Sequence, residues 1–142
     1  MPTYSREDFA RALLPMVGAR VTKRTLWALV SWMQAEGLGG RFNPLNTTED
    51  MPGATNFNSV GVKNYVSFEQ GVAATAKTLN YGADRGLYGY KPIRRRLRKN
   101  AWASATLAAV EVSKWGTGGL ALLCLPWVKL RWSRYRAMLI AQ

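Results

Sequence analysis

Between Gly37 and Val66 the chain loses every helical period, and this gap lies between two of the best-marked helices in the sequence. Gly, Asn, Thr, Pro and Ser dominate the stretch, and a structureless excursion of roughly thirty residues is uncommon in a small domain unless it is functional. Upstream, Thr22 is placed as an N-cap. Leu26, Leu29, Val30 and Met33 recur at helical spacing, and Gly37 stops the helix. Downstream, Ser67 followed by Gln70 has the spacing of a capping box, opening a helix through Val72, Thr75, Ala76 and Leu79 to about Gly82. A chain so organised predicts a mainly α (α+β) fold with one small β hairpin, Ala54 to Phe57 and Val62 to Val66, turning near Asn58-Ser59-Val60-Gly61.

The rest of the chain supplies further helices. Ser5 and Asp8 form a capping-box pair ahead of Phe9, Leu13 and Val17, with Pro15 and Gly18 near the end of that helix. Pro92 fits the first position of a short basic helix, Pro92 to Lys99. Ala101 to Ser113 is Ala-rich and helical, and Lys114-Trp115-Gly116-Thr117-Gly118-Gly119 breaks it. A last helix, interrupted by Pro126, uses Trp127, Leu130, Tyr135, Met138 and Leu139. No repeat or linker divides the 142 residues, and 48% apolar content suffices for one core, so a single domain over 1–142 is expected.

Charge and rare residues exclude several kinds of chemistry. Twenty Lys and Arg stand against eight Asp and Glu, and the resulting +12 attracts polyanions: nucleic acid, anionic lipid or anionic envelope polymers. The densest runs are Arg94-Arg95-Arg96-Leu97-Arg98-Lys99 and the alternating aromatic and basic stretch from Trp127 to Arg136. The first reads as a solvated amphipathic helix or a phosphate-binding face. The second suits a packing helix with snorkelling cations, a membrane interface or a nucleic-acid groove. There is no His, which removes His triads and His metal sites. Cys124 is the only cysteine, and Leu122-Leu123-Cys124-Leu125 reads as buried filler, so no disulfide, metal site or cofactor is expected. No phosphate loop, dinucleotide fingerprint or calcium loop is present. The N-terminus, with Arg6, Glu7, Asp8 and Arg11, lacks a signal peptide's apolar run. The longest uncharged stretch, Trp115 to Val128, has 14 residues, short of the roughly 20 that span a bilayer. An extracellular target would require delivery by another route.

Glu36 is the residue with the most chemistry to offer. It lies seven residues after Leu29, four after Trp32 and three after Met33, so it shares their helical face. If that face packs inward, desolvation raises the pKa of the carboxyl, and the negative end of the helix dipole favours the neutral form further. A carboxylic acid kept protonated near neutral pH can donate its proton to the leaving oxygen of a glycoside. The alternative is an exposed Glu in the last helical turn. The loop that follows is rich in amides and hydroxyls: Asn43, Asn46, Thr47, Thr48, Asn56, Asn58 and Asn64 match the hydrogen-bonding needs of sugar hydroxyls and N-acetyl groups. Asp50 and Glu49 are the only other acids there, and Asp50 is the candidate second acid. Trp115 is a candidate for closing a sugar cleft, or for core packing near a helix end.

In order along the chain, Trp32-Met33-Gln34-Ala35-Glu36-Gly37, Phe42-Asn43-Pro44-Leu45-Asn46-Thr47, Asn58-Ser59-Val60-Gly61-Val62-Lys63-Asn64-Tyr65, Gly71 and Leu79 resemble the lysozyme-like superfamily. The closer likeness is to lysozyme-like domains in proteins of phages infecting actinobacteria, where Ser-x-Trp-Gly-Thr-Gly recurs, here Ser113 to Gly118. The likeness covers about 7–120, leaving 121–142 as a basic and aromatic helical extension. It implies a mostly helical peptidoglycan-cleaving domain, with Glu36 as general acid and the hairpin as one wall of the cleft. Asn43, Thr47, Asn58, Asn64, Tyr65 and Trp115 would then contact glycan, with Asn64 standing where transglycosylase-type members carry a Gln. It also implies a hydrolase or lytic transglycosylase of phage origin, located in the virion or at the bacterial cell envelope. Its partners would be peptidoglycan strands and other virion or lysis proteins. The sequence departs from that pattern in lacking a Tyr-Asn-Ala-Gly segment and a carboxylate about nine residues after Glu36. These departures keep an inert lysozyme-like glycan-binding or tail protein as a second expectation, and the +12 charge keeps a basic nucleic-acid-binding protein as a third.

Overall fold

Capping chemistry sets where the first helices begin. In the computed structural model, which describes residues 2–142, α1 spans Arg6–Met16. The Ser5 hydroxyl accepts from the Asp8 N–H, and the Asp8 carboxylate accepts from the Ser5 N–H, which closes the expected box. α2 spans Lys23–Glu36 behind a reciprocal pair formed by Thr22 and Thr25, and it ends at Gly37 with φ of 72°. α3, Phe68–Arg85, starts at Ser67 and ends at Gly86 in the left-handed region, one turn beyond the predicted stop near Gly82. The Ser67 half of its box forms. The Gln70 side chain instead accepts from the Val66 N–H and donates to the Pro52 carbonyl, tying α3 to the loop.

Four shorter helices follow among the described residues: α4 (Tyr90–Arg98), α5 (Ala103–Glu111), α6 (Leu120–Leu130) and α7 (Trp132–Ala137). Pro92 is the third residue of α4 rather than the first, still within the turn whose N–H groups lack helical partners. Pro126 does not interrupt α6. It sits on the exposed side, where water can reach the carbonyl that its missing N–H leaves free, and the break falls at Arg131 instead. The hairpin is present but shorter than predicted. β1 (Thr55–Asn56) pairs antiparallel with β2 (Lys63–Asn64), Thr55 facing Asn64 and Asn56 facing Lys63.

The fold is thus mainly α with one small two-stranded hairpin. Phe9, Leu13 and Leu14 of α1, Leu29, Trp32 and Met33 of α2, Ile93 and Leu97 of α4, and Leu107 of α5 are almost wholly buried in one core. Each such side chain removed from water contributes about 1.5–3 kcal/mol before entropy is counted. Segment 121–142, predicted as a helical extension, contributes to that core through Ala121, Leu125 and Ile140. It also returns to the N-terminus: Ile140 N–H donates to the Tyr4 carbonyl and Arg6 N–H to the Met138 carbonyl. Cys124 is half-buried rather than buried.

The loop after α2 lies directly on this frame. Phe42 N–H donates to the Ala141 carbonyl, and Tyr65 N–H to the Arg41 carbonyl. A Cβ at Gly71 would fall 1.8 Å from the Phe42 carbonyl oxygen, so α3 can meet the loop backbone only through a glycine. Phe42 and Asn46 both hold positive φ, 54° and 58°. A bulky residue such as Phe42 adopts that conformation only when its surroundings impose it, and such strain gathers at functional sites.

Candidate active site

Glu36 is the last residue of α2 and is half-buried. Two neutral donors hold its carboxylate. Trp32 Nε1, one turn back on the same face, donates to Oε1 at 3.2 Å, and Asn46 Nδ2 donates to Oε2 at 3.1 Å. The same Asn46 amide reaches the Glu36 backbone carbonyl at 3.3 Å. Burial raises the pKa of the carboxyl above the ordinary glutamate value. The two hydrogen bonds oppose that rise, and the negative charge of Glu111 adds to it.

Asn46 carries a second signal. Its Oδ1 is buried without a hydrogen-bond partner and points toward Gly39, where a Cβ would come within 2.9 Å of it. With the amide oriented in this way, only Nδ2 faces the carboxylate. That donor serves either state of the acid, because a protonated carboxyl keeps a carbonyl oxygen that accepts.

Trp115 sits behind this pair. Its ring meets Trp32 edge-on, centroids 4.9 Å apart, and its Nε1–H donates to the Leu45 carbonyl at 2.7 Å. It is nearly buried, so it acts as a strut between the loop and α2 and does not form a platform for sugar. The rest of the Ser-x-Trp-Gly-Thr-Gly element is organised by Glu111, the last residue of α5. Its carboxylate accepts from Thr117 N–H at 2.5 Å, from the Thr117 hydroxyl at 2.8 and 2.7 Å, and from Ala121 N–H at 3.2 Å, capping the start of α6. Burial pushes the pKa of Glu111 up, but the donors from Thr117 and the start of α6 outweigh it and hold the group below the ordinary value.

Several residues expected to contact glycan are structural. Asn43 is wholly buried: its Nδ2 donates to the Thr47 and Lys63 carbonyls and its Oδ1 accepts from the Thr47 N–H, which uses its hydrogen-bonding capacity inside the loop. Thr47 is buried and shares a hydroxyl hydrogen bond with Thr78 of α3. Tyr65 is buried with its hydroxyl donating to the Glu49 carbonyl at 2.7 Å, and burial, helped by the Glu49 charge, raises its pKa. Asn58 is exposed but its Oδ1 closes the hairpin turn by accepting from Val60 and Val62 N–H. Asn64 Oδ1 accepts from Arg41 N–H at 2.8 Å, bracing the hairpin against the loop. Asp50, the candidate second acid, has a side chain 91% exposed and paired with Lys63 at 3.0 Å.

A cavity of about 600 Å³ opens beside Thr48 and Glu49. Thr48 and Glu49 form one side, Lys77, Thr78 and Tyr81 of α3 another, and Tyr88, Tyr90 and Lys114 the third. Glu36 does not line it. The two are joined by the 46–48 backbone and by the ring row Trp32, Trp115, Tyr90, the last two 5.3 Å apart. Tyr88 holds φ of 62° at the rim, a third constrained non-glycine residue. The cavity tyrosines lay outside the sequence expectation, as did Glu111. Its signal was a carboxylate ending a helix just ahead of a Gly-rich turn, the same pattern as Glu36. Among the described residues, no three His, Cys, Asp or Glu side chains come together as metal ligands would.

Compared with known proteins, the chain matches no family model, no curated protein and no solved structure.

Proposed function

We propose that this protein cleaves the glycan strand of peptidoglycan, with Glu36 as the proton donor. The observation that carries the proposal is a half-buried carboxyl at a helix end, held by two neutral donors and, among the described residues, paired with no cation, with its pKa raised by burial. The amide- and hydroxyl-rich loop beside it and the likeness to lysozyme-like domains support the same chemistry. Glu36 protonates the glycosidic oxygen as the bond to the anomeric carbon breaks, and the resulting carboxylate then takes a proton back. That proton comes either from an attacking water, giving a reducing end, or from the C6 hydroxyl of the same sugar, giving an anhydro end. Burial, with a smaller contribution from the Glu111 charge, raises the pKa of Glu36, and that same charge favours the positive charge that develops on the sugar. The strand would run from Glu36 past Asn46 and Thr48 toward the tyrosine-lined cavity, whose volume lies within the ordinary range for ligand sites.

A second function is favoured by the state of the other acids. Asp50 is solvated and paired, and the Glu111 oxygens are saturated, so neither is placed as a nucleophile. A domain that holds glycan without cutting it has the same surface. Digestion of purified peptidoglycan with product termini read by mass spectrometry separates the two. Released fragments that disappear with Glu36→Gln support cleavage, whereas retention on sacculi without fragments supports binding alone. Fragments released equally by Glu36→Gln remove Glu36 from the mechanism.

A further inference from the structure

α6 is apolar on both sides, which is unusual for a surface helix. Ala121, Leu125 and Val128 face inward and are buried. The opposite side carries no charge: Leu120, Leu123, Trp127 and Leu130 recur at i, i+3, i+7 and i+10 and are 51%, 67%, 58% and 72% exposed. Leu122 and Pro126 complete that outward surface. Four large apolar side chains in one exposed row, on a helix already anchored through its other side, are not explained by the core.

The rim of the row is cationic. Arg131 follows it directly, and Arg134 lies one turn into α7. Both are exposed, and among the described residues neither pairs with a carboxylate. Lys129 leans back over Trp27, 4.8 Å from the ring centroid. We propose that this face of α6 docks on the surface of an anionic phospholipid bilayer. The leucines and Trp127 would enter the headgroup–acyl boundary while Arg131 and Arg134 meet lipid phosphates. The helix, 11 residues long, rises only about 16 Å at 1.5 Å per residue, so it lies in the interface and does not cross it.

Charge selects this occupant over a second copy of the chain. Self-association through the face would bring together two molecules that each carry +12, whereas an anionic surface neutralises that charge. The inference stands apart from the Glu36 chemistry and survives its failure.

Flotation with phosphatidylcholine vesicles, with and without a phosphatidylglycerol fraction, tests it. The intact protein should float with the anionic vesicles and much less with the neutral ones. Its tryptophan emission should shift to shorter wavelength on binding. Leu123→Glu should weaken binding about tenfold or more, and Arg131→Gln with Arg134→Gln about fivefold per cation removed. Trp127→Leu should keep binding but lose the emission shift. These side chains are exposed, so thermal unfolding should be unchanged, and this separates a surface effect from misfolding. Equal binding to both vesicle types, no binding by the intact protein, or undiminished binding by Leu123→Glu or by the Arg131→Gln, Arg134→Gln variant would overturn the proposal. So would sedimentation of the free protein as a dimer that Leu123→Glu dissolves, which would assign the face to a second copy.

Discussion

Glu36 and Glu111 occupy equivalent places and have opposite fates. Each is the last residue of a helix, and each has a loop folded back over it. Glu111 meets two backbone N–H groups and a hydroxyl, and its negative charge is secured. Glu36 meets one indole and one amide and is half-buried, so its charge is disfavoured. Position at a helix end does not decide whether a carboxyl serves as acid or as anchor. The number and kind of donors decide whether its charge is favoured, and the charge of Glu111 adds to the rise at Glu36.

Substitution of the acid gives the largest effect. Glu36→Gln should reduce glycan cleavage by about 10²–10⁴-fold in a muropeptide-release assay. It should also raise the thermal midpoint at neutral pH. The folded-state pKa of Glu36 lies above the unfolded value, so its stabilising contribution is complete below the unfolded pKa and is lost as pH rises through the folded one. The midpoint difference between Gln and Glu should therefore vanish well below the ordinary glutamate range. A midpoint that does not rise would mean that the carboxyl is not strained by burial.

Breaking the anchor comes next. Glu111→Gln loses the charge that holds Thr117 and the start of α6, at about 2 kcal/mol by denaturant unfolding. The same change removes a negative neighbour of Glu36, so its pKa falls and the alkaline limb of the activity profile moves to lower pH. Trp115→Phe keeps the ring against Trp32 but leaves the Leu45 carbonyl unpaired, costing about 1–2 kcal/mol with little change in that profile. Asn46→Gly tolerates the positive φ and deletes the amide, and it has the smallest effect. The alkaline limb should move to higher pH, because a bond that favours the carboxylate is gone. Limbs that shift together for Glu111→Gln and Asn46→Gly would break the contrast between the two acids.

α1 and α2 were legible in the sequence because their signals are local: Ser5 with Asp8, Thr22, and Gly37 act within one turn. Glu36 was legible because its spacing from Trp32 and Met33 places it on a buried face. The roles of Asn43, Thr47 and Tyr65 were not. Composition counts amides and hydroxyls but cannot tell whether they face a ligand or satisfy the backbone of a long irregular loop, and here the loop claims them first. Pro126 misled for a related reason. The lost hydrogen bond of a helical proline costs less where the orphaned carbonyl reaches water, and exposure is a tertiary property. Glu111 was hidden because its donors, Thr117 and Ala121, lie six and ten residues further on, outside any helical or capping spacing.

The contact between Gly71 and Phe42 gives the candidate site a second vulnerable point. The loop that positions Asn46 rests on α3 as an optical element rests on its mount, with clearance for a hydrogen and nothing larger. An alanine at that position would act as a shim, tilting the whole loop and carrying the amide away from its acid. A residue that makes no contact with the proposed substrate would then set how the whole loop sits on the helices beneath it.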